Sequence, residues 1–326
     1  MHNARPGFVR ACLNGTSQVF FMENAWTGVL FFIAIAYSSY DAGAWATTIG
    51  ALMGVVVATV TASALIDDGD SISAGLYGFN GILVGAALPT LIEPSSLLWF
   101  YIVFGAAAST VVTAALSATL TKSWGIPGST GPFVLLGWLL VAGAYSFGSL
   151  QISSLRPVLA TDFLQGHSVI PSAIELVEIF FRNIAQVFLL GSAISGAIIL
   201  LGIFIASVRA GIAASLGSII AIVAAIVLRA DPASVSQGLY GFSAVLTAMA
   251  VGVVFLAPGW RVAAYAGLAT ILTVFIQGAL DVIMLPDGLP SFTMPYVATL
   301  YLFMAPKKLM SPHPHVRARS DHLLSD

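Results

Sequence analysis

Charge is what this sequence has least of: Asp, Glu, Lys and Arg make up 8% of its 326 residues, where a soluble domain carries about 25%. With 58% hydrophobic residues and a mean hydropathy of +0.97, a soluble fold could not bury so much apolar surface, and lipid is the expected solvent. The single cysteine, Cys12, excludes an intramolecular disulfide and a cysteine-based metal cluster. Histidine is scarce and peripheral: His2, His313, His315 and His322 lie in the polar tails and His167 in a polar stretch at mid-chain. The net charge of -2 excludes little. Carboxylates are absent from the middles of the apolar runs. Asp67, Asp68 and Asp70 cluster in a break, Glu93 precedes Pro94 at a span end, and Asp281 and Asp287 flank a turn; all are read as solvated loop charges, with Glu23 and Arg182 nearer the apolar segments. Proton- and sodium-coupled carriers need buried carboxylates on the path, so coupling is disfavoured. No nucleophile, metal ligand set or acid and base pair assembles, so neither an enzyme nor a cofactor is expected, and no nucleic-acid partner.

What is present is length without charge. Ala25 to Tyr40 and Leu97 to Leu120 approach or exceed the roughly 20 residues that cross about 30 Å of hydrocarbon. Met1 to Arg10 is polar and basic, so no cleavable signal peptide is expected there. Arg5 and Arg10 at one end and Lys308, Arg317 and Arg319 at the other place both termini on the cytoplasmic side. An even number of crossings follows.

The chain repeats itself. Gln18-Val19-Phe20, then Gly28, returns as Gln186-Val187-Phe188, then Gly196, an offset of about 168 residues. Gly75-Leu76-Tyr77-Gly78-Phe79 returns as Gly238-Leu239-Tyr240-Gly241-Phe242, each with a Leu four residues on, Leu83 and Leu246. Pro127-Gly128-Ser129-Thr130-Gly131-Pro132 shares the frame Pro-x-x-Thr-x-Pro with Pro290-Ser291-Phe292-Thr293-Met294-Pro295. Apolar spans are expected near 25–40, 43–66, 72–92 and 96–120, then from Thr130 to Phe147 after a Pro/Gly break, with the second half following suit from Val187 to Ala305. The division is a first repeat over 1–150, an extracytoplasmic connector over 151–182, a second repeat over 183–306 and a cytoplasmic tail over 307–326. Each half then crosses an odd number of times, so the halves are inverted, a plan in which substrate sites fall near the midplane between repeats.

Four sets of repeated residues could touch a cargo. The prolines around Thr130 and Thr293 favour helices that begin at each threonine, and broken helices at membrane depth line cavities; the plain structural alternative is that both threonines are helix N-caps. Gln18 and Gln186 are amides in apolar surroundings, which need partners: either a helix-to-helix hydrogen bond or a pathway where their oxygens face a neutral, donor-rich solute. Phe79 with Leu83, and Phe242 with Leu246, share a helix face. Such pairs are ordinarily core or lipid-facing. Here they sit amid a stripe of Gly75, Gly78, Gly81 and Gly85 that lets helices approach closely, and paired aromatics make a slot for a planar molecule. The glycine block lacks the Lys-Ser/Thr of a phosphate loop.

These motifs resemble the urea transporter family over nearly the whole chain: a Gln-containing segment, a Gly-Leu-Tyr-Gly-Phe block and a threonine near a helix break in each half. The resemblance implies an all-α polytopic membrane protein of two inverted five-helix repeats with two half-spanning helices around a pore, one pore in each protomer of a homotrimer, and passive, single-file passage of urea. It further implies that Gln18 and Gln186 offer acceptors, that Thr130 and Thr293 line the centre, and that Phe79 with Leu83 and Phe242 with Leu246 wall two slots, with Phe21 and Val187 opposite them. At Phe21's spacing the second half has Leu189, so the slots are expected to differ in width. Asn80 against Ser243 and Glu23 against Gly191 are further departures from two-fold symmetry. Short amides such as acetamide share much of urea's shape and remain an alternative cargo, as does a coupled small-solute carrier. An ammonia channel would place paired histidines in the pore, and an aquaporin-like channel two Asn-Pro-Ala motifs, which this chain lacks.

Overall fold

The computed structural model describes residues 7–147, 150–152 and 171–310. The five histidines, Arg5, Arg317, Arg319 and most of the expected connector lie outside these residues. Among the described residues the regular structure is helical, with one isolated β-bridge between Ile92 and Ile152. The first half runs α1 (Phe8–Gln18), α2 (Ala25–Asp41), α3 (Trp45–Leu65), the single turn α4 (Gly69–Ser73), α5 (Gly78–Leu91), α6 (Ser96–Leu116), the short α7 (Lys122–Trp124) and α8 (Gly131–Ser146). The second repeats the order as α9 (Ala173–Ala185), α10 (Ala193–Ala206), α11 (Val208–Val227), α12 (Pro232–Ser236), α13 (Phe242–Met249), α14 (Trp260–Met284) and α15 (Met294–Met304). Residues 173–182, assigned to the connector by sequence, thus open α9, the counterpart of α1.

Local chemistry sets these ends. Asn24 caps α2 by accepting from the Thr27 N–H at 3.1 Å, Ser95 caps α6 through Leu98, and Ser172 with Glu175 forms a reciprocal capping box at α9. Trp45–Leu65, Ser96–Trp124, Val208–Val227 and Trp260–Asp287 are long and apolar enough to cross a membrane, and α9 with its following turn bends by 75° into α10. At 1.5 Å per residue α1 and α9 are only about 17–20 Å long, little more than half of a ~30 Å hydrocarbon layer. Each is too short to cross alone, and α9 continues through its bend into α10.

The halves are antiparallel. Near the start of α2, Thr27 Oγ1 donates to Gly202 O late in α10 at 2.9 Å, while Ser195 Oγ at the start of α10 donates to Ala34 O in α2 at 2.7 Å. Thr27 matches Ser195, and Ala34 matches Gly202, at the offset relating Gln18 to Gln186, so one bond is the other with the halves exchanged. Phe20 and Phe188, both fully buried, meet across the same interface with ring centroids 5.9 Å apart.

Without water to drive burial, helices in lipid associate through close packing, and glycine supplies it. Gly50 and Gly54 of α3 lie against Gly85 and Gly81 of α5 so tightly that a Cβ on Gly54 would strike the Gly81 carbonyl and one on Gly85 the Gly50 carbonyl. The outer surface is apolar instead: Trp26, Leu139, Val227 and Trp260 are exposed.

Candidate functional site

Both Pro-x-x-Thr-x-Pro segments break the chain in the same way. Ser129 and Phe292, matched in the repeat, take left-handed backbone at φ +47° and +46°, a conformation that non-glycine residues avoid and that marks strained, often functional, positions. Helices α8 and α15 begin immediately after the next residue, as the prolines imply. Their starts meet head to head. Thr130 Oγ1 and Thr293 Oγ1 are hydrogen-bonded at 2.7 Å, with the two residues 1% and 2% exposed. Flanking contacts are exchanged across the same point: Ser129 Oγ bonds Tyr296 OH at 2.6 Å, and the rings of Phe133 and Phe292, their counterparts, pack edge-on at 5.0 Å. Two helix N-termini therefore aim their partial positive ends at one spot, which disfavours a cation there and leaves hydroxyls as the polar groups.

The glutamines are held by the glycine blocks. Gly75 and Gly238 turn with φ +83° and +81°, and the end of α1 at Gly15 presses against Gly75 and Gly78, as Arg182 and Asn183 of α9 press against Gly238. Gln18 Nε2 donates to Ala74 O and Gln186 Nε2 to Gln237 O, each at 2.9 Å and each to the carbonyl just before the block. Tying the nitrogen end turns each Oε1 the other way. Phe21 and Leu189 share left-handed backbone, φ +63° and +60°, so they are structural counterparts despite the change of residue. Phe21 packs edge-on against Tyr296 and Phe255, with centroids 6.0 and 5.8 Å away.

Leu83, Val187, Phe242 and Leu246 are buried and Phe21 and Phe79 half-buried in one apolar cluster that also holds Phe292 and Tyr296. Of the sequence candidates, then, the threonines touch directly, the apolar six share a cluster, and each glutamine is anchored to its own half. Val187 matches Val19, and both are 1% exposed.

Three supports escaped the sequence reading. Asn80, fully buried, donates from Nδ2 to Ser129 O at 3.3 Å and accepts at Oδ1 from the Phe133 N–H at 3.2 Å, so it bridges the first break. In the second half Gln277 Nε2 donates to Ser291 Oγ at 2.7 Å and to Asp281 Oδ1 at 2.8 Å. Asp281 is therefore not a solvated turn charge: it lies inside α14, 8% exposed. A glutamine one helical turn before an aspartate in an apolar run was the available signal. Trp138 Nε1 and Tyr145 OH of α8 grip the second break through Pro290 O and Gly288 O, at 2.9 and 3.1 Å. Among the described residues no group of three or more His, Cys, Asp or Glu could hold a metal ion.

Comparison with known proteins supplies a family. Residues 9–308 match the family described as Urea transporter. Urea transporter 1 of Ovis aries is 28% identical over 301 residues, covering 91% of this chain and 76% of the relative. Its counterpart in Capra hircus is 29% identical over 304 residues with the same coverage, and that of Rattus norvegicus 28% over 301. With a family match spanning nearly every described helix, this chain belongs to the urea transporter family.

Proposed function

We propose that the chain carries urea passively across a cell membrane, down its gradient, through a pore between its two halves. The observation that carries this reading is the hydroxyl pair Thr130 and Thr293, buried where α8 and α15 begin head to head. Urea is planar and neutral, with one carbonyl acceptor and four N–H donors. At the constriction each threonine exchanges its mutual hydrogen bond for one to urea, so no hydroxyl is left unsatisfied during passage, which would cost about 1–3 kcal/mol. Phe79 with Leu83 and Phe242 with Leu246 form flat slots on either side, Phe21 and Val187 close them from across, and the Gln18 and Gln186 oxygens receive urea N–H groups at the two mouths. A row of weak sites lets the solute leave as readily as it arrives, while a hydrated ion loses its water without compensation.

The repeats are read as 1–150 and 183–306 with the start of α9 added to the second, both termini on the cytoplasmic side as the positive-inside bias implies, and a homotrimer as the family resemblance implies. Stopped-flow light scattering on proteoliposomes tests the function. Gradient-driven urea flux well above that of empty vesicles is expected, falling about a hundredfold, the equivalent of two hydrogen bonds of about 1.4 kcal/mol each, when Thr130→Val and Thr293→Val are combined. Flux no faster than in empty vesicles, from folded protein, overturns the urea assignment; acetamide is then the next solute to try.

A further inference from the structure

Thr130 occupies the N-cap position of α8, where a threonine hydroxyl ordinarily accepts from the N–H of the second or third helical residue. Pro132, the second, has no N–H. Only the Phe133 N–H is left for Thr130 to cap, and that N–H donates to Asn80 Oδ1 instead. The same amide uses its Nδ2 to hold the carbonyl of Ser129, the left-handed residue just before Thr130, and is steadied by Thr113 Oγ1 at 3.2 Å. Thr130 accordingly makes no side-chain cap bond, and its hydroxyl meets Thr293.

We propose that Asn80 is a positioning residue of the pore: by capping α8 from α5 in place of Thr130, it directs the Thr130 hydroxyl toward Thr293 and the passing solute. Without the Asn80 amide the Phe133 N–H is an orphan donor in a buried interior, and the hydroxyl of the N-cap residue, Thr130, is the group that ordinarily accepts from that position. A Thr130 hydroxyl spent on the cap is lost to the constriction. The second half reaches the same end without this device: Thr293, also followed by a proline two residues on, makes no side-chain cap bond either and still meets Thr130. At the position matching Asn80 stands Ser243, 1% exposed with a hydroxyl that makes no hydrogen bond, and the second break is braced through Ser291 by Gln277.

This inference rests on the reading of Thr130 as part of a urea pore, and a double-mutant cycle separates the two. Urea and acetamide fluxes are measured for the parent, Asn80→Ala, Thr130→Val, the double variant and Ser243→Ala, each normalised to folded protein in the vesicles. Asn80→Ala is expected to slow urea about as much as Thr130→Val does, roughly tenfold in maximal flux, with the half-saturating urea concentration changed less than twofold because the neighbouring Phe79 slot is intact. The double variant should be no slower than Thr130→Val alone, and Ser243→Ala should match the parent. The ratio of urea to acetamide flux should fall in Asn80→Ala, since urea has more donors to lose an acceptor for; a mere shortage of competent pores slows both solutes alike. Asn80→Gln keeps an amide with both an acceptor and a donor end and covers the case in which Asn80→Ala does not fold: a smaller loss of flux than in Asn80→Ala or Thr130→Val is expected. Losses that add in the double variant, an unchanged solute ratio, or a folded Asn80→Gln as slow as Thr130→Val overturn the proposal. A parent without urea flux, or a Thr130→Val as fast as the parent, removes instead the reading beneath it.

Discussion

At the scale of residues, the Thr130 and Thr293 hydroxyls are each other's hydrogen-bond partner, and this fixes an asymmetry in how substitutions behave. Thr130→Val alone leaves the Thr293 hydroxyl buried and unpartnered, a loss of about 1–3 kcal/mol, whereas valine at both positions replaces two bonded hydroxyls with two methyls of the same shape and is close to neutral. Thermal unfolding of detergent-solubilised protein should therefore place each single variant below the parent and the double variant above both singles. If the destabilisations simply add, the two side chains do not depend on each other. The threonines and the glutamines were legible in the sequence because the repeat displayed them twice. Asn80 was visible only as a mismatch with Ser243, since a cap delivered from another helix leaves no local spacing to read. Asp281 was misread for a related reason: its proximity to a turn suggested solvent, and only packing reveals that Gln277 meets it inside α14.

At the scale of elements, the long spans and the proline breaks followed from hydropathy and local stereochemistry; α2, α3 and α6 lie within a few residues of the expected runs, and α8 starts where the Pro-x-x-Thr-x-Pro frame said it would. Helices α1 and α9 did not stand out, because Asn14, Thr16 and Ser17 in the one, and Glu175, Glu178 and Arg182 in the other, interrupt the apolar signal. Their polar groups are spent on neighbours: Asn14 Nδ2 donates to Ser73 O and the matched Arg182 Nη1 to Ser236 O, at 2.9 and 3.0 Å. The glycine stripe was readable, and its meaning is the contact of α5 with α3. Gly85→Val would drive a side chain into the Gly50 carbonyl and the Ala51 backbone, where neither helix can yield as a flexible side chain would. Overpacking of a tight core costs about 1–3 kcal/mol or more, so this variant should yield little monodisperse protein on size exclusion, while valine at the open Gly267 should not. Equal yields would mean that α3 and α5 can separate without loss.

At the scale of the molecule, the two-fold exchange of contacts relates one mouth to the other, from Thr27 and Ser195 through Phe20 and Phe188 to the central threonines. The exchange is imperfect: Phe21 corresponds to Leu189, Asn80 to Ser243, and the Gln277–Asp281 brace belongs to one half. Passive transport constrains what such differences can do. At urea concentrations far below saturation, permeability must be equal in both directions however unequal the slots, because no energy source distinguishes the sides. Near saturation the constraint lifts: if, as proposed, Phe21 walls one slot while Leu189 stands at the matching place in the other, half-saturating concentrations for inward and outward flux should differ. Vesicles in which one orientation of the protein has been inactivated would allow both regimes to be measured. Equal permeabilities at low urea, unequal half-saturation at high urea, and no response to a pH or sodium gradient are expected. Accumulation of urea against its gradient when either ion gradient is imposed would mean coupling, and the buried Asp281 would then be the first carboxylate to neutralise, by Asp281→Asn, in search of the coupling site.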